Sequence, residues 1–303
     1  MTLHLAPGLV TLLVSLLAIV ALGREDSLSK EVSLSGQAVT HSDLSLANFF
    51  SEGWDQSWSK RERGDGTPNM SLLRVQPNFL ARLIRLDTSL EIGRNSPAFS
   101  QSEFANTIME YALNRRFMPA VFVNHQWLKG RTEPDNDGTA GGMFMRFQLY
   151  DLMKSSLALN LKVALPDRDI GEHLTIWSYA LAGWEDLNQI GLKRTGIYYH
   201  VQHEMLAGPA AASAARNDVS YDISIAKTWS SPHATLQNFT TFLEAYGKTL
   251  LDGGHAGRTT TVLTPGFRFT LASRHIVMLG FDLPVAGPRT NDEIFRFTWV
   301  TNF

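Results

Sequence analysis

Histidines are the residues of this chain best suited to acid–base work, and their neighbours decide whether they could do it. A hydrolytic site needs a nucleophile, a base and an orienting group within reach of one another. His200 and His203 are followed by Glu204 and Met205, not by serine. His125 is followed by Gln126 and Trp127, and His41-Ser42 lies in a polar stretch outside any strand pattern. No spacing assembles the three roles, so no enzyme is expected. Metal chemistry is equally thin. Glu133, Asp135 and Asp137 in EPDNDG cluster hard oxygen ligands before a glycine, but the distal Glu of a calcium loop is missing. That run is expected to be a solvated acidic loop. His200 and His203 differ in parity and cannot chelate together from one strand face. Absence of cysteine removes thiolate sites and disulfides. Gly141-Gly142 follows no buried strand pattern and reads as no phosphate cradle. No cofactor and no metal are expected.

The elements that carry the remaining ionisable residues have a period of two. In 219–229, Val219, Tyr221, Ile223, Ile225 and Trp229 share one parity, and Ser220, Asp222, Ser224, Ala226 and Thr228 the other. In 157–165, Leu157, Leu159, Leu161, Val163 and Leu165 alternate with Ala158, Asn160, Lys162 and Ala164. Helical periodicity would scatter these sets. From about residue 72 such runs recur near 80–92, 104–114, 117–128, 142–153, 156–166, 173–183, 194–206, 218–230, 238–249, 259–272, 275–285 and 293–303. Each suffices to cross a bilayer as a tilted strand. Pro119 and Pro265 fall near the interiors of their runs, where a missing N–H is awkward. Short connections such as 114–117, 153–156 and 273–275 alternate with longer ones rich in turn formers. The exceptions are GWEDLNQIGLKR (183–194), read as a turn or short helix, and SSPHATLQ (230–237). The fold class is all-β: an antiparallel transmembrane β-barrel of about twelve strands, with an even count that puts both barrel ends on one side.

Charge then assigns the faces. Arg or Lys facing lipid at mid-bilayer costs about 2–4 kcal/mol, so the charged parity lines the interior. This places Arg85, Asp87 and Glu91 inside, then Glu110 and Asn114, Arg146 and Gln148, Asn160 and Lys162. His200, Gln202 and Glu204 follow, and after them Asp222, Glu244, Lys248, Arg268, Asp282 and Arg296. Arg82 and Lys227 lie on the apolar parity, either snorkelling to an interface or marking a register error. Mixed signs suit a pore lining and equally a network that plugs a narrow lumen.

Residues before the runs read differently. Leu9 to Gly23 carries no charge, is too short to span a bilayer, and ends in Ala21-Leu22-Gly23 before Arg24-Glu25-Asp26. Residues 1–23 are therefore expected to be a secretory signal peptide, although no Lys or Arg precedes the apolar run. Residues 24–71 are polar, with Phe49, Phe50, Trp54 and Trp58 standing out, and read as an arm that is periplasmic or tucked into the barrel. Residues 72–303 form the barrel. The net charge of -2 argues against a nucleic-acid partner. A mean hydropathy of -0.09 does not announce a membrane protein, but a barrel averages an apolar face with a polar one.

The last run, EIFRFTWVTNF, sets Phe295, Phe297, Trp299, Thr301 and Phe303 on one face, with Arg296, Thr298 and Asn302 opposite. Such an aromatic ladder resembles the assembly signal of bacterial outer-membrane proteins, carried here by Phe297, Trp299 and Phe303. Upstream lie Glu244 in NFTTFLEAYGKT, then Thr264-Pro265-Gly266-Phe267, then Gly280 to Pro284. Together these resemble the family of outer-membrane transporters associated with the meta-cleavage pathway of phenol degradation. The resemblance covers roughly the last 65 residues by motif and residues 72–237 only in strand rhythm. It implies a barrel of twelve to fourteen strands that passes hydrophobic or aromatic molecules.

The expected function is an outer-membrane channel for passive uptake of small apolar or aromatic solutes. The alternatives are a structural barrel with a plugged lumen, working through loops 129–141 and 207–217, and a membrane-embedded phospholipase-type enzyme. Expected partners are outer-membrane lipid, the barrel-assembly machinery and the solute.

Overall fold

The computed structural model describes residues 42–61, 70, 72–92, 99–130, 132, 135–165, 175–207, 217–229, 236–271, 274–288 and 293–303. Among them are twelve strands: β1 (Arg82–Ile92), β2 (Phe99–Tyr111), β3 (Phe117–Gly130), β4 (Asn136–Asp151), β5 (Ser155–Ala164) and β6 (Thr175–Asp186), then β7 (Thr195–Ala207), β8 (Asn217–Thr228), β9 (Leu236–Leu250), β10 (Thr259–Leu271), β11 (His275–Ala286) and β12 (Glu293–Asn302). Every strand pairs antiparallel with its neighbours in sequence, and β12 pairs with β1 to close the barrel. Closure leaves no sheet edge, which is the condition for strands to exist in hydrocarbon. The signal peptide expected at 1–23 lies outside the described residues.

Alternation sets the two surfaces. On β8, Tyr221, Ile223 and Ile225 are 44–52% exposed, whereas Ser220, Asp222, Ser224 and Ala226 are at most 4% exposed. The outward set continues around the wall through Val121, Val123, Met143, Tyr179, Leu181, Val201 and Leu243. An apolar belt of this kind is the outer surface that membrane barrels carry. On β12, Phe295 is exposed while Ile294, Thr298 and Val300 are buried.

Several strands reach further than their composition suggests. β4 begins at Asn136, within a run expected to be loop, because Asn136 to Gly142 pair one by one with Leu128 to Phe122 of β3. Ladder pairing outweighs the weak strand preference of Asn, Asp and Gly. Gly141-Gly142 is thus part of a strand. A Cβ at Gly142 would lie 2.5 Å from Phe122 Cζ and closer still to the Val163 carbonyl oxygen, so the glycine makes room for the β5 backbone and for the ring of its cross-strand partner. β2 likewise begins at Phe99. Residues Leu187–Ile190 form a 3-10 turn, with the Asp186 side chain accepting from the Asn188 N–H and Gly191 at φ 88° closing it. Pro265 stays within β10, but its side facing β11 is a gap: pairing passes from Leu263–Leu283 to Gly266–Gly280. A proline has no N–H to give there.

One expectation is corrected. Residues 72–81 do not open the barrel wall; they form no strand and thread through the interior. Leu72, Val75, Asn78 and Leu80 are buried. Leu72 and Val75 pack on Trp184, Tyr198, Ala226 and Phe242 of β6 to β9. Leu80 packs with Met118, Met278 and Val300 on the other wall. The physical reason is topological: β1 is already paired on both sides, with β2 and β12, so no edge remains for this segment to join.

The candidate functional site: the barrel interior

Polar side chains of the wall meet the inner segment at its own backbone. Glu244 accepts the N–H groups of Arg74 at 3.1 Å and Val75 at 3.2 Å. The Gln76 N–H donates to His200 Nδ1 at 3.3 Å. From the opposite wall, Arg85 donates to the Leu72 carbonyl at 3.1 Å, Arg146 to Phe79 at 2.8 Å and Gln148 to Asn78 at 3.0 Å. Without a ladder, the segment satisfies its backbone through these side chains.

Ion pairs set the next layer. Asp282, fully buried, binds both Arg74 and Arg296, the latter at 2.8 Å, and also accepts from Thr264 Oγ1 at 2.6 Å. Arg85 pairs with Asp87 at 2.7 Å and Arg146 with Glu110 at 3.2 Å, while Arg146 Nε donates to Asn160 Oδ1 at 2.7 Å. Lys248 pairs with Asp218 at 2.8 Å and reaches Glu204 at 4.0 Å. The Lys162 ammonium sits 4.7 Å above the Phe122 ring. Both Asp222 oxygens are buried without a hydrogen-bond partner among the described residues, opposite His200 in the ladder.

Arg74 is the residue sequence reasoning missed. It lies in the inner segment, stacks on Tyr246 at 4.6 Å and ties β9, β10 and β11 together. Its signal was the broken alternation of LLRVQPNFL, where apolar residues occupy both parities before Pro77. Asn114 is a second correction: it is not on a strand face. Its Oδ1 accepts the Arg116 and Phe117 N–H groups, each at 2.8 Å, and so builds the β2–β3 turn. The acidic run is a third. Asp137 is in β4 opposite Trp127, and Asp135 accepts the Gly130 N–H at 2.8 Å, so these two carboxylates do not share one solvated loop. Glu133 lies outside the described residues.

Residues 43–61 cap the end of the barrel that carries the β2–β3 and β4–β5 turns. Leu44 bridges to Asp151 and Ser57 to Asn114. Arg116, fully buried, donates to the carbonyls of Ser45, Asn48, Glu52, Gln148 and Leu149 at 2.8–3.1 Å. Burial pushes its pKa down, with Glu52 opposing. Arg82 and Lys227 both lie at this end of their strands: Arg82 stacks on Trp58 and Tyr111, and Lys227 on Trp229. Both side chains thus lie against aromatic rings at the strand ends, Arg82 also at the rim of an inner cavity. His203 faces outward against Tyr179, with ring centroids 5.1 Å apart.

Among the described residues the interior keeps cavities at successive levels, two of which matter here. One, of about 300 Å³, lies at the capped end between Trp58, Phe79, Arg82, Met278 and Arg268. The other, of about 210 Å³, lies deeper, between Leu73–Pro77 and the β1–β5 wall, and includes Arg85, Asp87, Glu110, Arg146 and Lys162.

No protein-family model matches the chain, and no curated relative matches it. Among solved structures, an outer membrane channel from Pseudomonas putida F1 is similar in fold, with a TM-score of 0.52 and 11% identity over 80% of this chain and 100% of that one. The NanC porin gives a TM-score of 0.49 at 7% identity, covering 73% of this chain and 98% of that one. A bacterial polysaccharide outer membrane secretin gives 0.40 at 9%, covering 75% and 99%. The likeness is one of fold, and no family model ties the chain to the phenol-degradation transporters its C-terminal motifs resemble.

Proposed function

We propose that the protein is a passive outer-membrane channel for small apolar or aromatic solutes, exported on residues 1–23 and inserted by the barrel-assembly machinery. The observation that carries this reading is the pair of cavities at successive levels inside a closed barrel with an apolar outer belt. Lumen walls of mixed charge favour uncharged or weakly charged cargo over strong ion selectivity. The aromatic face of β12 with Phe297, Trp299 and Phe303 supplies the interfacial contacts and the assembly signal. Liposome swelling with the folded protein tests the reading: faster swelling in small solutes than protein-free liposomes is expected.

A plugged structural barrel is the second reading, favoured by one observation. Residues 72–80 cross the lumen and are tied to both walls through Glu244 and Arg146. Absence of flux with folded protein, in the same assay, decides for it.

A further inference from the structure

Among the described residues, the arginines inside this barrel are matched to acceptors, with one exception. Arg74 and Arg296 share Asp282, Arg85 has Asp87, and Arg146 has Glu110. Arg268 on β10 is only 7% exposed, yet no carboxylate lies within ion-pair distance of it among the described residues. Its Nε is buried without a hydrogen-bond partner, and its Nη1 lies 2.8 Å from the Met70 sulfur, a weak acceptor. A buried guanidinium left in this state is costly, because desolvation is not offset by an opposite charge.

Its surroundings indicate what would offset it. Arg268 lines the cavity of about 300 Å³ at the capped end. Four further cations line the same cavity, Lys60, Arg61, Arg82 and Arg115, and Asp151 is the one acidic side chain among the described residues of its wall; Arg61 is also paired with Asp43. Asp151 is already approached by Arg61 at 3.7 Å. The remaining wall is largely apolar, with Phe79, Ile276, Met278 and Val300. A guanidinium fork matches a carboxylate with two parallel hydrogen bonds, and the apolar wall matches an aromatic or short aliphatic body.

We propose that this cavity binds a small organic carboxylate, its anionic end on Arg268 and its apolar body against Met278 and Val300. The site does not depend on whether the lumen conducts, so its test is a binding measurement and flux plays no part in it.

Titration calorimetry of the folded protein in nanodiscs, with benzoate, benzyl alcohol and inorganic phosphate as separate probes, tests the site. Benzoate is expected to bind at least tenfold more tightly than benzyl alcohol, which has the same ring without the charge, and more tightly than phosphate. R268Q should weaken benzoate at least tenfold while leaving benzyl alcohol unchanged. M278W, which fills the apolar side, should weaken benzoate without removing the arginine. Undetectable benzoate binding, equal binding of the alcohol, tighter binding of phosphate, or an R268Q protein that binds benzoate like the parent would each overturn the proposal. Should R268Q fail to fold, the three-probe comparison on the parent protein decides alone.

Discussion

Glu244 holds Arg74 by its backbone, not by its charge. The Arg74 N–H lies 3.1 and 3.3 Å from the two carboxylate oxygens of Glu244, while the guanidinium reaches away to Asp282 and Thr264. One residue of the inner segment is thus fastened to β9 through its main chain and to β10 and β11 through its side chain. Glu244→Ala removes the acceptor for two N–H groups, those of Arg74 and Val75. Each unsatisfied buried donor costs about 1–3 kcal/mol. The variant should unfold at lower temperature when followed by heat-modifiable gel mobility. If the segment is the plug, it should also conduct more than the parent in planar bilayers.

Asp282 is the shared counter-charge of two arginines, with its own side chain fully buried and those of Arg74 and Arg296 12% and 24% exposed. Asp282→Asn keeps the shape and removes the charge. Breaking a buried pair from one side costs on the order of 3 kcal/mol, and the partial exposure of Arg296 reduces its share. Urea titration of the folded gel band should show a lower midpoint. Thr264→Val, which removes the hydroxyl that donates to the same carboxylate and accepts from Arg74 Nε, should cost about 1.5–3 kcal/mol, the range for hydrogen bonds to charged groups.

The wall was legible in the sequence because its information is local. Tyr221, Ile223 and Ile225 against Ser220, Asp222 and Ser224 state a strand and its two faces without any knowledge of neighbours. Strand ends were less legible, since Asn136 to Gly142 are strand only by virtue of their pairing with β3. The inner segment showed only as broken alternation, which does not say where the chain runs. Alternation describes a chain with one apolar side, whereas residues 72–81 touch walls all around and so show apolar residues on both parities. Asp282 and Glu244 could be put on the polar parity from charge alone, but their partner Arg74 follows only from where the chain threads.

Gly142 and Phe122 give a test of close packing across β3 and β4. Gly142→Ala would place a methyl carbon 2.5 Å from Phe122 Cζ, 2.8 Å from Cε1 and closer still to the Val163 carbonyl oxygen, so both the ring and the β5 backbone must move. Overpacking of this kind costs about 1–3 kcal/mol. Phe122→Ala alone should destabilise through lost burial. The double variant should be less destabilised than the sum of the two, because the ring's share of the clash is gone while that with the Val163 carbonyl remains. Additive effects in a double-mutant cycle would mean that Phe122 does not lie over the glycine.

Ile223 and Lys227 share the outward parity of β8 but differ in depth. Ile223, near the middle of Asn217–Thr228, is 52% exposed. Lys227, one residue from the strand end, stacks 5.3 Å from the Trp229 ring and its ammonium donates to the Lys193 carbonyl at 3.4 Å in the β6–β7 turn. If the belt faces lipid, Ile223→Arg should cost about 2–4 kcal/mol, the mid-bilayer value for an arginine on a barrel's outer face. Lys227→Ala should cost less than about 1 kcal/mol, since a partly exposed cation–π contact at an interface contributes little more. Both are read from urea titrations of protein refolded into vesicles. Equal, small effects would place the belt in water, because only hydrocarbon makes depth along the strand matter to a charge.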